Sequence, residues 1–277
     1  EERKISVNVD LINQTLGLEL KIPKIISSLK KSRLDASSKG KNIICSIPAY
    51  RFDIFGPMDL VEETALGYGI QNLEPMLSPS QTIGEMNPIS LELKSLGQIM
   101  IGLGYLESLN SSLTSKRVLY DMVNRNSKNI ISVLDSKSQE HTILRDSILP
   151  GLLENLSKNI HESYPQKMFE TGTVFTLDNP ISEKINFSCI SVHQDANFTE
   201  IKSILQSALK TGFDIKIDTK TTAHSTFEQG RCATVIVNNE DVGVIGEINS
   251  KIIDDYKIRV PVVGFEISLS DSILKSF

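Results

Sequence analysis

The sequence is short of the residues that mark metal or nucleophile chemistry. Cys45, Cys189 and Cys232 lie far apart, in apolar or small-residue runs such as "IICSI" and "FSCIS". That distribution excludes paired metal spacing and reads as reduced core thiols. His141, His161, His193 and His224 are scattered, with no HExxH and no cysteine pair beside them, so nothing points to zinc. There is no GxSxG, and "GLG" at residues 102–104 is too short and badly placed for a phosphate loop; a helix stop is the common use of glycine there. No apolar run is long enough to span a bilayer. Positive charge is not in excess either: a net charge of −5 and a pI near 5.5 argue against a chain that coats nucleic acid by general electrostatics. The first residues, "EERKISVNV", read straight into a strand without a signal or transit pattern. The expectation is a cytoplasmic chain, with no membrane partner, that begins partway through a longer protein.

What is present is enough for two cores. The chain has 277 residues, 40% hydrophobic and 23% charged, about the length of two domains. Residues 5–9 alternate as a strand, 10–16 stop at Gly17 as a short helix, and 23–31 form a second helix with Ile25, Ile26 and Leu29 apolar. "NIICSIPAYR" reads as a buried strand stopped by Pro48. These elements, with the acidic helix described next, predict a small mixed domain over 1–75. A proline-bearing linker falls within "QNLEPMLSPSQTIGEMNP" at 71–88.

The second domain is expected over 76–277. "ISLELKSLGQIMIGLGYLES" predicts an amphipathic helix ending near Gly102 or Gly104 and passing into a strand. "DSILPGLLENLSKNIHESYPQKMFETGTVFTL" predicts a helix and then a strand. Further strands are expected at "FSCISV", "FDIKI", "CATVIVNNEDVGVIGEI" with a turn at Asn238 and Asn239, and "VPVVGFEI". Helices at "FTEIKSILQSALK" and "SKIIDDY" lie between them. Hairpins mixed with helices favour an α+β layer, mostly antiparallel, over a doubly wound sheet.

"YRFDIFGPMDLVEETALGYG", residues 50–69, concentrates Asp53, Asp59, Glu62 and Glu63. On a helix, Asp59, Glu62 and Glu63 span an arc of about 100°, opposite Leu60, Val61, Thr64, Ala65 and Tyr68. Pro57 suits a first helical position, so the acids also sit where the helix dipole favours anions. A solvated helix start and a hard-cation site with Asp53 folded back onto that face both remain open. Elsewhere, Arg145 and Arg231 are candidate anion binders, with a structural ion pair as the commoner use of each. Lys30, Lys31, Arg33, Lys39 and Lys41 cluster around an expected loop, "SLKKSRLDASSKGKN". No aromatic residue interleaves with them, so a stand-alone RNA- or DNA-binding module is the alternative reading rather than the main one.

In order, "IPAYRFDI", "MDLVEETALGYGIQNL", "GLGYLES", "LRDSILPGLLENLSKN", "QKMFETGTVF", "FEQGRCATVIVNNEDVGVIGEI" and "VPVVGFEI" resemble the phenylalanine-tRNA ligase beta-subunit family over nearly the whole chain. The resemblance implies a carboxy-terminal fragment of an archaeal-type or eukaryote-like subunit. It implies that Asp53, Asp59, Glu62 and Glu63 bind Mg²⁺ shared with the alpha subunit, which favours metal over the dipole reading. It also implies a second domain with the class II synthetase fold but no catalysis, pairing with the catalytic alpha subunit in a two-alpha, two-beta enzyme that acts on tRNA. ATP would be used by that holoenzyme and not bound by this chain. Consistent with this, "QKMFETG" and "VPVVGFEISLS" lack the arginines with which class II motifs hold ATP. By the same resemblance the helix at 89–101 is expected to bury Leu96 and Met100 against another subunit.

Overall fold

A computed structural model describes residues 3–75, 77, 83–127, 129–269 and 273–274. The chain divides into two units, Glu1–Ile83 and Gly84–Phe277. The division lies inside the expected linker, somewhat later than the expected boundary at 75, and linker residues 76 and 78–82 lie outside the described residues.

The smaller unit runs β1 (Arg3–Asn8), α1 (Val9–Leu16), α2 (Ile22–Lys31), β2 (Asp35–Lys39), β3 (Asn42–Ile47) and α3 (Pro57–Tyr68). Its sheet has the antiparallel order β1-β3-β2. Asn8 caps α1 by accepting from Asp10 N at 2.7 Å, and Gly17 ends it in the left-handed region at φ 66°. Alternate residues of β1 and β3, including Val7, Ile43 and Cys45, meet Ile12, Ile25, Leu29, Leu60 and Val61 of the helices in one buried cluster. The segment expected as a basic loop is instead the end of α2 followed by the β2-β3 hairpin, with Lys30 and Lys31 in the last turn of α2. β2 eluded the sequence because "DASSK" is an edge strand with little burial, and so carries no apolar alternation.

The larger unit contains α4 (Pro88–Gly102), β4 (Leu106–Glu107), β5 (Leu113–Thr114), α5 (Lys116–Leu119), β6 (Ile143–Leu144), α6 (Leu149–Lys158), β7 (Gln166–Thr176), β8 (Ser182–Val192), α7 (Phe198–Phe213), β9 (Asp218–Thr221), β10 (Phe227–Val237), β11 (Glu240–Ile248), α8 (Ser250–Asp255) and β12 (Val262–Ser268). The main sheet has the order β4-β7-β8-β12-β11-β10-β9 and is antiparallel except for the parallel edge pair β4-β7. β5 and β6 pair separately. Asn238 and Asn239 turn the β10-β11 hairpin with φ of 51° and 67°, the left-handed pair that a two-residue hairpin needs.

Both faces of the main sheet are buried. Phe169, Phe187, Cys189, Val263, Phe265 and Ile267 point toward α4 and α7, where Leu96, Met100, Leu205 and Leu209 meet them. Ile190, Val192, Val262 and Phe227 point the other way, toward Leu149, Leu152, Leu153 and Leu156 of α6 and Ile252 of α8. Two expectations change here. "FDIKI" is the end of α7 and a turn, with the strand displaced to the four residues after it, because Ile215 and Ile217 pack on the core without joining the ladder. Leu96 and Met100 are wholly buried within this unit and are not interface residues; α4 instead leaves Leu91 and Ile101 about half exposed. The expectation failed because several apolar positions on one helix do not say which of them the fold's own core will claim. Among the described residues, no helix is long and apolar enough to cross a membrane.

In the smaller unit α3 packs closely on α2 at Gly67, where a Cβ would collide with the backbone of Ser28. Gly67→Ala should therefore force α2 and α3 apart and destabilise that unit by about 1–3 kcal/mol. Amide hydrogen exchange in α2, compared between variant and parent, measures the loss.

Candidate functional site

The acidic segment of the smaller unit begins in the loop between β3 and α3, which is pinned from beneath. Arg51 N donates to Pro48 O at 3.0 Å, the Arg3 guanidinium donates to Arg51 O at 3.3 Å and to Ile54 O, and Ile54 is buried in the core. This frame places the Arg51 side chain between two of the acids. Its Nε and Nη2 donate to the Asp53 carboxylate at 2.8 and 2.6 Å, and the same Nη2 donates to Glu63 Oε1. The guanidinium holds the Asp53 carboxyl down to about 2, and the two carboxylates in turn raise Arg51 above its ordinary value.

The four expected ligands therefore divide. Asp53 and Glu63 come together on Arg51. Asp59, third residue of α3, turns back so that its Oδ2 accepts from Phe55 N at 2.6 Å and Gly56 N at 2.8 Å, which is half of a capping box. Glu62 is exposed. Glu63 does not share an open acidic face with it: only 8% exposed, it lies on the side where the loop covers the helix, while Tyr68, expected in the core, is half-buried under Lys24. Among the described residues, no three Asp, Glu, His or Cys side chains are grouped to hold a metal. The donor set is nevertheless all hard oxygen, as Mg²⁺ requires. One cationic nitrogen, Arg51 Nη2, stands between Asp53 and Glu63. The donors thus match Mg²⁺ in chemistry, but only Asp53 and Glu63 are brought together, and Arg51 holds both.

The second candidate is the α6 face of the main sheet, where two buried carboxylates flank Ser188. Glu170 on β7 and Glu266 on β12 are each in register with Ser188 on β8. Glu170 is fully buried and accepts from Arg145 Nη1 at 2.5 Å and Asn110 Nδ2 at 2.6 Å. Glu266 accepts from Ser147 Oγ and Asn186 Nδ2 at 2.6 Å and from Ile148 N and Leu149 N at 2.9 Å. The charge of Glu266 thus faces the amino-terminal start of α6, whose unpaired amides and dipole favour an anion. Arg145 is a structural ion-pair residue, as is Arg231 through Glu247 at 2.6 Å. What space is left at this face is a cavity of about 260 Å³ that includes Arg125, Asp146, Lys184, His224 and Glu266. It lies below the ~300 Å³ at which small-molecule sites usually begin. Its Arg125 and Asp146 are paired at 2.9 and 3.1 Å, and burial pushes His224 below its ordinary value. No arginine stands on β7 or β12.

The remaining candidates are ordinary. All three cysteines are free and buried, and burial pushes Cys45 and Cys232 up to about 11 and raises Cys189 well above the ordinary thiol value. Of the basic cluster, Lys31 donates to Gly67 O and Lys41 pairs with Asp10, so two of its five cations serve the fold.

Comparison with known proteins agrees with both units. The family model described as "Phenylalanyl tRNA synthetase beta chain CLM domain" matches residues 74–269, and "tRNA synthetase B5 domain" matches residues 5–70. The chain belongs to the phenylalanyl-tRNA synthetase beta-chain family. It is 37% identical over 270 residues to the phenylalanine–tRNA ligase beta subunit of Methanococcus vannielii, which covers 94% of this chain and 49% of that protein. With the subunit of Archaeoglobus fulgidus it shares 36% identity over 272 residues, covering 97% of this chain and 49% of that one. The chain therefore spans about half the length of these relatives. Pyrrolysyl-tRNA synthetase of Desulfitobacterium hafniense shares the fold alone, with a TM-score of 0.55 and 13% identity over 68% of each chain. On the α6 side of the main sheet, the chain's own helix covers much of the surface beside Glu170 and Glu266.

Glu266→Ala would strand four donors, two of them buried backbone amides, and should destabilise the larger unit by about 3 kcal/mol or more, while Glu266→Gln should cost less because it keeps one acceptor oxygen. Urea unfolding of the two variants measures the difference.

Proposed function

We propose that the chain is the assembly part of phenylalanine-tRNA ligase, noncatalytic in itself, pairing with the alpha subunit in a two-alpha, two-beta cytoplasmic enzyme that uses ATP to attach phenylalanine to tRNA. The observation that carries this reading is how the sheet face is occupied. Glu170 and Glu266, the acids of the "FETG" and "GFEIS" strands, are both consumed by the segment leading into α6, and the leucines of α6 fill the surface beside them. A site for ATP also needs cations to neutralise phosphate, and β7 and β12 supply no arginine.

The larger unit meanwhile offers a surface for a partner. α4 and the segment after it leave Leu91, Ile101, Leu106 and Leu109 in solvent, and β4 forms an edge of the main sheet. Exposed apolar side chains grouped with a free strand edge are features of an association surface. In the smaller unit, Asp53, Asp59, Glu62 and Glu63 would hold the Mg²⁺ shared with the alpha subunit. The ion would supply positive charge to neutralise these acids. This chain's own contribution is the pinned loop, which fixes Asp53 opposite the start of α3.

Two experiments test the proposal. The purified chain should give no phenylalanine-dependent pyrophosphate exchange, and exchange should require added alpha subunit; robust exchange by the chain alone rejects the noncatalytic assignment. Leu91→Asp combined with Ile101→Asp should leave the melting profile unchanged, because both side chains are exposed, yet weaken association with alpha by about tenfold or more. Unaltered co-purification of that variant with alpha would place the partner elsewhere.

A further inference from the structure

A further group of charged side chains lies at the turn that carries α8 into β12. We propose that this turn, with the loop between α6 and β7, forms a site for one phosphate-bearing nucleotide unit, either part of an RNA strand or a free nucleoside monophosphate. None of its residues takes part in the proposed pairing with the alpha subunit or in the acidic segment, so the site stands or fails apart from that function.

A depression of about 580 Å³ is lined by Ile160, His161 and Tyr164 from the α6–β7 loop and by Asp254, Lys257, Ile258 and Arg259 from the turn after α8. Its volume falls within the range of small-molecule sites. Its floor is apolar, since Ile160, Tyr164 and Ile258 pack on the core under α6. Its polar groups are not used by the fold. Among the described residues, the side chains of His161, Tyr164, Lys257 and Arg259 make no hydrogen bond or ion pair. An aromatic ring and two unpaired cations in one depression match the two ends of a nucleotide, a base that stacks and a phosphate that needs charge. Lys257 and Arg259, opposed by the single acid Asp254, can neutralise one phosphate group and fall short of a triphosphate.

The backbone at Lys257 separates its side chain from the needs of the fold. The N–H of Lys257 donates to Asp254 O at 2.9 Å and that of Ile258 to Ile253 O at 3.0 Å, the paired bonds of a helix stop that contains one left-handed residue. Lys257 is that residue, at φ 59°. Glycine takes this conformation without strain, whereas a lysine carries the cost of its Cβ and here gains no partner in return. Strain kept at a position whose side chain the fold does not use points to a ligand for that side chain. Ile258 is buried and anchors the turn, so Lys257 and Arg259 flank a fixed point.

The test uses the whole 277-residue chain. Adenosine monophosphate and an oligoadenylate of about six nucleotides serve as probes, followed by calorimetry and by the backbone amide resonances of residues 160–164 and 254–259. Both probes should shift those resonances, and adenosine without phosphate should bind far more weakly. Lys257→Gly should weaken both probes on the order of tenfold, the loss of one charge-assisted hydrogen bond, while its melting temperature stays level or rises. Arg259→Gln should weaken them comparably, and Asp254→Asn should tighten them. Equal losses for the two probes assign the site to the nucleotide unit itself, and binding of the oligoadenylate alone assigns it to an RNA strand. Should Lys257→Gly unfold, Arg259→Gln carries the same decision, since that side chain is exposed and makes no hydrogen bond or ion pair. Unchanged binding of both probes by the Lys257 and Arg259 variants, or no shift from either probe at millimolar concentration, overturns the site.

Discussion

The larger unit depends on how residues 145–149 are fastened across its sheet. Arg145 reaches Glu170 on β7, and the amides of Ile148 and Leu149 reach Glu266 on β12. Ser188 stands between the two acids on β8 and donates to Phe265 O. The two carboxylates are compensated differently, Glu170 by a charge and a side-chain amide, Glu266 by neutral donors at a helix start. Either would be costly if left unpaired in the interior, so the entry of α6 is held at one place on the sheet. That placement lets Leu149, Leu152, Leu153 and Leu156 cover the face, and it turns a surface of synthetase architecture into a second hydrophobic core.

A charged group is managed by similar means in the smaller unit, with a different result. Arg51 lies near the surface, one of its two acids is exposed, and the pairing joins a loop to a helix rather than locking a core. A buried carboxylate with four donors has no low-cost alternative state. A guanidinium shared between an exposed Asp53 and a nearly buried Glu63 does have one, because water reaches Asp53. The contrast separates the two acid sites physically: one locks a core, and the other ties a loop to a helix near the surface.

Much of the fold was legible from pattern. The β10-β11 hairpin was marked by adjacent asparagines between apolar runs, α6 and β7 by a change of period from helical to alternating, and α1 by the glycine that stops it. The edge strand β2 was not legible, since a strand exposed on both sides carries no alternation, and "FDIKI" misled because apolar side chains in a turn can reach a core without joining a ladder. At the acidic segment, the sequence showed four carboxylates and a helix start. It could not show that Arg51, two residues before Asp53, bridges to Glu63, because the loop's path back over α3 depends on Arg3 and Ile54 holding it there.

The family, the α+β class, the two-unit division and the lack of arginine on β7 and β12 are legible in the sequence alone, because these reside in residue order and composition. Only the tertiary structure decided that Leu96 and Met100 belong to this unit's own core, that Leu91 and Ile101 remain free, and that Glu170 and Glu266 are locked in place. The reason is that burial and pairing are relations between distant segments. A helix pattern offers several apolar positions, and an acid offers one charge, but the neighbours brought by the sheet decide which face is closed and which charge is already met.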